Sequence, residues 1–141
     1  MPAPMIRLRD EHDNVEKLLK ILESQTTDAT DSRPDYGLME DIVEYFLAYP
    51  DAVHHPCENM VYDKLAERRP DRAREIGDLG TEHGRIADAT RSLANTLRLI
   101  DQDGAVTQLE FHTVVQEFVV GQRAHMQKEE AVFFPAAEQT L

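Results

Sequence analysis

Four stretches of this chain repeat apolar residues at alternating steps of three and four, and histidine interrupts each repeat. Such steps mark one face of an α-helix, so the chain is constrained to four amphipathic helices whose apolar faces must meet. The first stripe is Leu8, His12, Val15, Leu19 and Leu22, in a segment from about Ile6 to Ser24. The second segment, about Asp35 to Arg68, reads Leu38, Ile42, Tyr45 and Tyr49, then His54, Glu58, Val61 and Leu65. The third, about Arg72 to Ile100, carries Ile76, Leu79, His83, Ile86, Thr90, Leu93, Leu97 and Ile100. The fourth, about Val106 to Glu138, carries Phe111, Val115, Phe118, Gln122, His125, Glu129 and Val132. No strand-type alternation appears. The predicted fold is all-α: an antiparallel up-down four-helix bundle, forming a single domain over residues 1–141.

The breaks between stripes are chemically marked. Gln25 to Pro34 is rich in Thr, Asp and Ser and reads as a loop, and Arg69-Pro70-Asp71 reads as a turn. Gly104 is suited to cap the third helix. Pro50 and Pro56 fall inside the second segment, where proline removes a helical hydrogen bond and clashes with the preceding turn. A kink or short break is predicted near Tyr49–Asp51, and Pro135 is expected to bend the last turn of the fourth helix.

Charge narrows the partners. The net charge is -12, from 27 acidic against 15 basic residues. Phosphate backbones and anionic membrane surfaces are bound through basic residues, so neither suits this chain. No run approaches the roughly 20 apolar residues that cross a bilayer. Met1 to Asp10 holds no apolar stretch of signal-peptide length. Cys57 is the only cysteine, so no intrachain disulfide can form. A soluble, cytoplasmic protein, monomeric or homodimeric, is the expectation.

The polar residues inside the stripes carry the functional argument. His12, His54, His83 and His125 each sit on an apolar face, and Glu58 and Glu129 follow two of them by one turn. A single histidine there is commonly a core residue with a hydrogen-bond partner. A carboxylate is costly to bury without one. Heights along the bundle give a second test. At a rise of about 1.5 Å per residue, His12 lies about 10 Å from one end of the bundle, Glu58 about 15 Å and His83 about 16 Å, with the His125–Glu129 pair at a similar level. All four stripes therefore bring polar groups to nearly one plane. His54 and Glu58, like His125 and Glu129, are spaced i and i+4 and converge on one face.

Four imidazoles and two carboxylates suit iron, manganese or zinc. With both glutamates bridging, His12 and His54 would serve one metal and His83 and His125 the other. Each metal would then keep open positions, unlike a closed structural zinc site.

The series Glu11-His12-Asp13, His54-His55-Pro56-Cys57-Glu58-Asn59, Glu82-His83-Gly84 and His125-Met126-Gln127-Lys128-Glu129-Glu130 resembles the hemerythrin-like (HHE cation-binding) domain of bacterial type. The resemblance spans essentially the whole chain. It implies a non-haem di-iron centre with two oxo- or hydroxo-bridged iron ions, zinc or manganese being possible substitutes. The implied ligands are His12, His54, Glu58, His83, His125 and Glu129. In the iron-sensing ubiquitin-ligase relative, the position matching His55 holds a carboxylate that touches iron, so His55 is a further candidate. The resemblance implies a protein that binds or senses a small ligand (O2, NO or iron availability). The alternative is a di-iron enzyme acting on peroxide or nitric oxide. The oxygen carriers have a second histidine on the third helix where this chain has Ala87, and an aspartate five residues after the fourth-helix histidine where this chain reads His-x-x-x-Glu. Simple reversible O2 carriage is therefore not implied.

Several neighbours have two readings. Tyr62 is either a hydrogen-bond donor to a bridging carboxylate or a core tyrosine. Gly121 leaves room for a ligand or permits close helix packing. Cys57 is a thiol beside the metals or a small inert residue. His112 points away from the stripe and belongs to the surface or supports the site from outside. Glu11 or Glu82 could orient a neighbouring ligand.

Overall fold

A computed structural model describes residues 3–27, 34–102 and 104–141. The described residues are helical with short connections. The helices are α1 (Ala3–Thr27), α2 (Tyr36–Ala48), α3 (His55–Arg68), α4 (Pro70–Ile76), α5 (Leu79–Asp101), α6 (Gln108–Lys128) and α7 (Phe134–Thr140). Pro50–His54 forms a π-helical turn between α2 and α3, and Glu129–Phe133 forms another between α6 and α7. Joined through these turns, the elements make an all-α four-helix bundle. Most of the loop expected at Gln25–Pro34 lies outside the described residues.

Caps fix the starts. The carboxylates of Asp35 and Asp78 and the hydroxyl of Thr107 accept hydrogen bonds from the backbone N–H groups of Leu38, Thr81 and Glu110. Cross-helix pairs set the directions. Arg123 meets Glu16 and Glu23, while Gln116 donates to Thr26, so α1 and α6 run antiparallel. Asn59 reaches His83 and Tyr62 reaches Gly77, so α3 and α5 do too.

Two sequence expectations change in detail. The break near Pro50 is present, but the third segment is not one helix. Gly77 adopts a φ of 90°, favourable only for glycine, and separates α4 from α5. In α2 the buried face is Met39, Ile42, Val43 and Phe46, whereas Leu38 is exposed. Gly104 is needed for a close approach: its N–H donates to the Leu99 carbonyl, and an added Cβ would lie 2.7 Å from that oxygen.

The core is divided by a polar layer. One apolar cluster contains Leu19, Leu22, Phe46, Leu93, Val115 and Phe118, with Phe46 and Phe118 packed edge to face at 5.1 Å. The other contains Met5, Leu8, Leu65, Leu79, Phe133 and Phe134. Along α1, His12 falls between Leu8 and Val15, members of the two clusters. His12, His54, His55, Glu58, His83, His125 and Glu129 lie in that layer, all buried. No helix among the described residues is long and apolar enough to cross a membrane.

Candidate metal centre

The two glutamates are the middle of the layer. Glu58 is fully buried and Glu129 is 1% exposed. Each lies one turn from a histidine on its own helix: His54 Nε2 is 3.1 Å from Glu58 Oε2, and His125 Nε2 is 3.1 Å from Glu129 Oε1. The opposite helices complete the ring. His12 Nε2 lies 3.1 Å from Glu129 and 3.5 Å from Glu58. His83 Nε2 lies 3.2 Å from Glu58 Oε1 and 3.3 Å from Glu129 Oε2. Four helices thus deliver their Nε2 atoms to one pair of carboxylates.

The π-helical turns contribute to this placement. Each wide turn adds a residue relative to an α-turn, and such turns concentrate at functional sites. Where the first ends and α3 begins, adjacent His54 and His55 are both buried, with 4% and 6% exposure. In the second, Glu129 opens the turn and Phe133 closes it, so Phe133 enters the core and Val132 is only half-buried.

Every outer nitrogen has its own support. Nδ1 of His12 faces Glu130 at 3.0 Å, that of His83 faces Asn59 at 2.8 Å, and that of His125 faces Glu82 at 2.8 Å. His54 Nδ1 makes a short contact with Glu11, which also accepts from Tyr49 and Arg7. In a neutral ring, an acceptor on Nδ1 fixes the proton there and leaves Nε2 as a lone-pair donor aimed inward. Glu11 and Glu82 take the supporting roles the sequence offers for them. Asn59 and Glu130 reach their rings from other helices, which i to i+4 spacing does not report, and Asp51, one turn before His55, is a local neighbour that the sequence reading passed over.

His55 joins the second half of the site. Its ring stacks on His83 at 4.2 Å and 13°, and its Nδ1 lies 3.4 Å from Asp51. Two sets of ligand-capable atoms each fall within 4.8 Å: His12, His54, Glu58 and Glu129, and His55, Glu58, His83 and His125. Glu58 is common to both. This places the expected histidine pairs on opposite sides of a shared carboxylate.

The donor set fits cations. Both oxygens of Glu58, Oε1 of Glu129 and Nε2 of His125 are buried yet make no aligned hydrogen bond to described residues. Buried polar atoms in that condition are costly, and a central cation would satisfy them together. Protons are the substitute. Burial opposes charge on His12, but its contacts with Glu129 and Glu58 outweigh burial and raise its pKa to about 10. The same balance raises His83 to about 9. Burial would raise Glu58, but His12, His54 and His83 pull it down to about 2. His55 is the exception: burial, then the charge of His83, lower it to about 3, which keeps it neutral.

Residues 4–138 match the family model described as the hemerythrin HHE cation binding domain. The chain belongs to the hemerythrin family. Neither the comparison with curated proteins nor that with solved structures returned a match. For this hemerythrin-family chain, the clustered histidines and glutamates fit a metal-binding role.

Other residues resolve their alternatives. Tyr62 donates to the Gly77 carbonyl at 2.7 Å and packs with Phe133, so it is structural. Cys57 packs against the cluster around Phe134 and is in neither ligand set. His112 is half-buried beside Phe111 and is likewise in neither set. An added Cβ on Gly121 would meet nothing within 4 Å, so close helix packing does not explain it.

Proposed function

We propose that residues 4–138 act as one domain holding a non-haem di-iron centre that binds or senses a small ligand. The observation that carries this is Glu58, whose two oxygens face histidines of opposite sets. His12 and His54 would hold one ion and His83, His125 and His55 the other, with Glu58 and Glu129 between them. Such a centre supplies redox-active iron with coordination positions left for an exogenous molecule. The chain's own residues bind and orient it: Glu130, Glu11, Asn59 and Glu82 set the rings of His12, His54, His83 and His125.

The test is metal content with absorption spectra in air and after reduction. About two irons per chain and a ferric band that bleaches on reduction are expected. Failure to take up iron under anaerobic ferrous reconstitution would overturn the reading. Stoichiometric binding of O2 or NO without turnover marks the binding role; sustained consumption of peroxide or NO marks the enzyme.

His55 would stand in for the helical histidine absent at Ala87, with Asp51 3.4 Å from its Nδ1 as the group that would orient it. Both Asp51 oxygens are buried without an aligned hydrogen bond to described residues, and burial raises the pKa of the carboxyl. Asp51→Leu is expected to weaken binding of the second metal about 10- to 100-fold, as loss of a ligand's outer support does elsewhere. Competition with a chelator of known affinity reads this out. Unchanged affinity would remove His55 and Asp51 from the site.

A further inference from the structure

Beside the ligand sets, a cavity of about 350 Å³ lies between α5 and α6. Ile86, Ala89, Phe118, Gly121, Gln122 and His125 form its wall, and Arg85 and Lys128 stand among its other lining residues. The bare Gly121 position keeps part of that space open. Within this apolar wall Gln122 is anomalous. It is 3% exposed, and its Nε2 makes no hydrogen bond to any described residue. Gln122 precedes His125 by three residues and Glu129 by seven, so it shares their helix face one turn away. A buried amide without a partner destabilises a fold, whereas leucine of similar size would not. The expense is explained if the donor's partner arrives from outside.

We infer that Gln122 donates a hydrogen bond to a small exogenous ligand that enters this cavity and binds next to His125. The ligand class is a diatomic or triatomic molecule with an acceptor atom. Its apolar body suits Ile86, Ala89 and Phe118, and the amide of Gln122 reads its acceptor. This rests on the di-iron reading, since the metals would hold the ligand's other end.

The experiment compares the iron-loaded full chain with Gln122→Leu and Gln122→Met, using azide as the probe. Iron content, azide affinity, the azide stretching frequency and thermal unfolding of the metal-free proteins are measured. Wild type and both variants are expected to load iron equally. Both variants should bind azide about tenfold or more weakly, as loss of a hydrogen bond to a charged acceptor predicts. The azide stretch should shift, and the metal-free variants should unfold at equal or higher temperature. Equal azide affinity and an unshifted stretch with full iron would overturn the role of Gln122 while leaving the di-iron reading intact. An iron-loaded wild type that binds no azide would also overturn it. Wild type without iron would overturn both.

Discussion

Replacing Glu58 by glutamine is expected to remove both metals, because this one carboxylate belongs to both sets of ligand atoms. The amide keeps the shape of the side chain but loses the charge and one acceptor, so uptake fails without a cavity. Glu58→Ala should fail in the same way and also unfold more easily. Breaking a buried ion cluster by removing one partner costs about 3–5 kcal/mol, since the remaining charges stay buried. In the metal-free state those charges include His12 and His83, which face Glu58 at 3.5 and 3.2 Å. His112→Ala is the control, because His112 is in neither ligand set. Metal analysis of purified variants decides the matter: similar metal in Glu58→Gln and His112→Ala would sink the bridging assignment.

A second large effect concerns protons. With His12 raised to about 10 and His83 to about 9, both are charged at neutral pH in the metal-free protein. A metal ligand must present a neutral imidazole, so uptake displaces these protons. Each displaced proton makes affinity rise about tenfold per pH unit below the histidine pKa. Two give a rise of about a hundredfold per unit between pH 6.5 and 8.5, measurable as proton release by calorimetry in buffers of different ionisation enthalpy. Release of no protons would contradict the charged-histidine picture.

The same balance shapes stability without metal. A histidine with a raised pKa stabilises the fold fully below its unfolded value near 6.5, and that contribution fades as pH climbs through about 9 to 10. Glu58, lowered to about 2, contributes above its unfolded value near 4.5 and loses that contribution as pH falls toward 2. His55, lowered to about 3, works against low pH in the same sense as Glu58. Metal-free protein is therefore expected to lose stability on the alkaline side, and metal to abolish that loss. Thermal unfolding from pH 5 to 10, with and without iron, separates the two states.

Legibility in the sequence followed the reach of each physical signal. From Leu79 to Leu97 the stripe containing His83 matches the buried face position by position, because a single α-helix keeps one face in register. The stripe of α2 was misplaced by one residue, since Leu38 and Met39 are both apolar and only packing against Phe118 and its neighbours selects Met39, Ile42, Val43 and Phe46. The division between α4 and α5 was missed, because the periodicity of Ile76, Leu79 and His83 continues across a Gly77 that turns to positive φ.

The sequence by itself determined that four helices would bury a layer of histidines and glutamates. Helical geometry converts spacing into a shared face, and burying charge demands a shared reason. Only the tertiary structure decided which histidine faces which carboxylate oxygen. It also decided that His55 stacks on His83 beside Asp51, that Asn59 supports the His83 ring, and that the amide nitrogen of Gln122 makes no hydrogen bond to described residues. Apart from the i to i+4 pairs His54–Glu58 and His125–Glu129, the histidine–carboxylate, His83–Asn59 and His55–His83 contacts join residues 24 or more positions apart, and Asp51 meets His55 at the π-helical turn. They are set by how helices pack, which no local periodicity records.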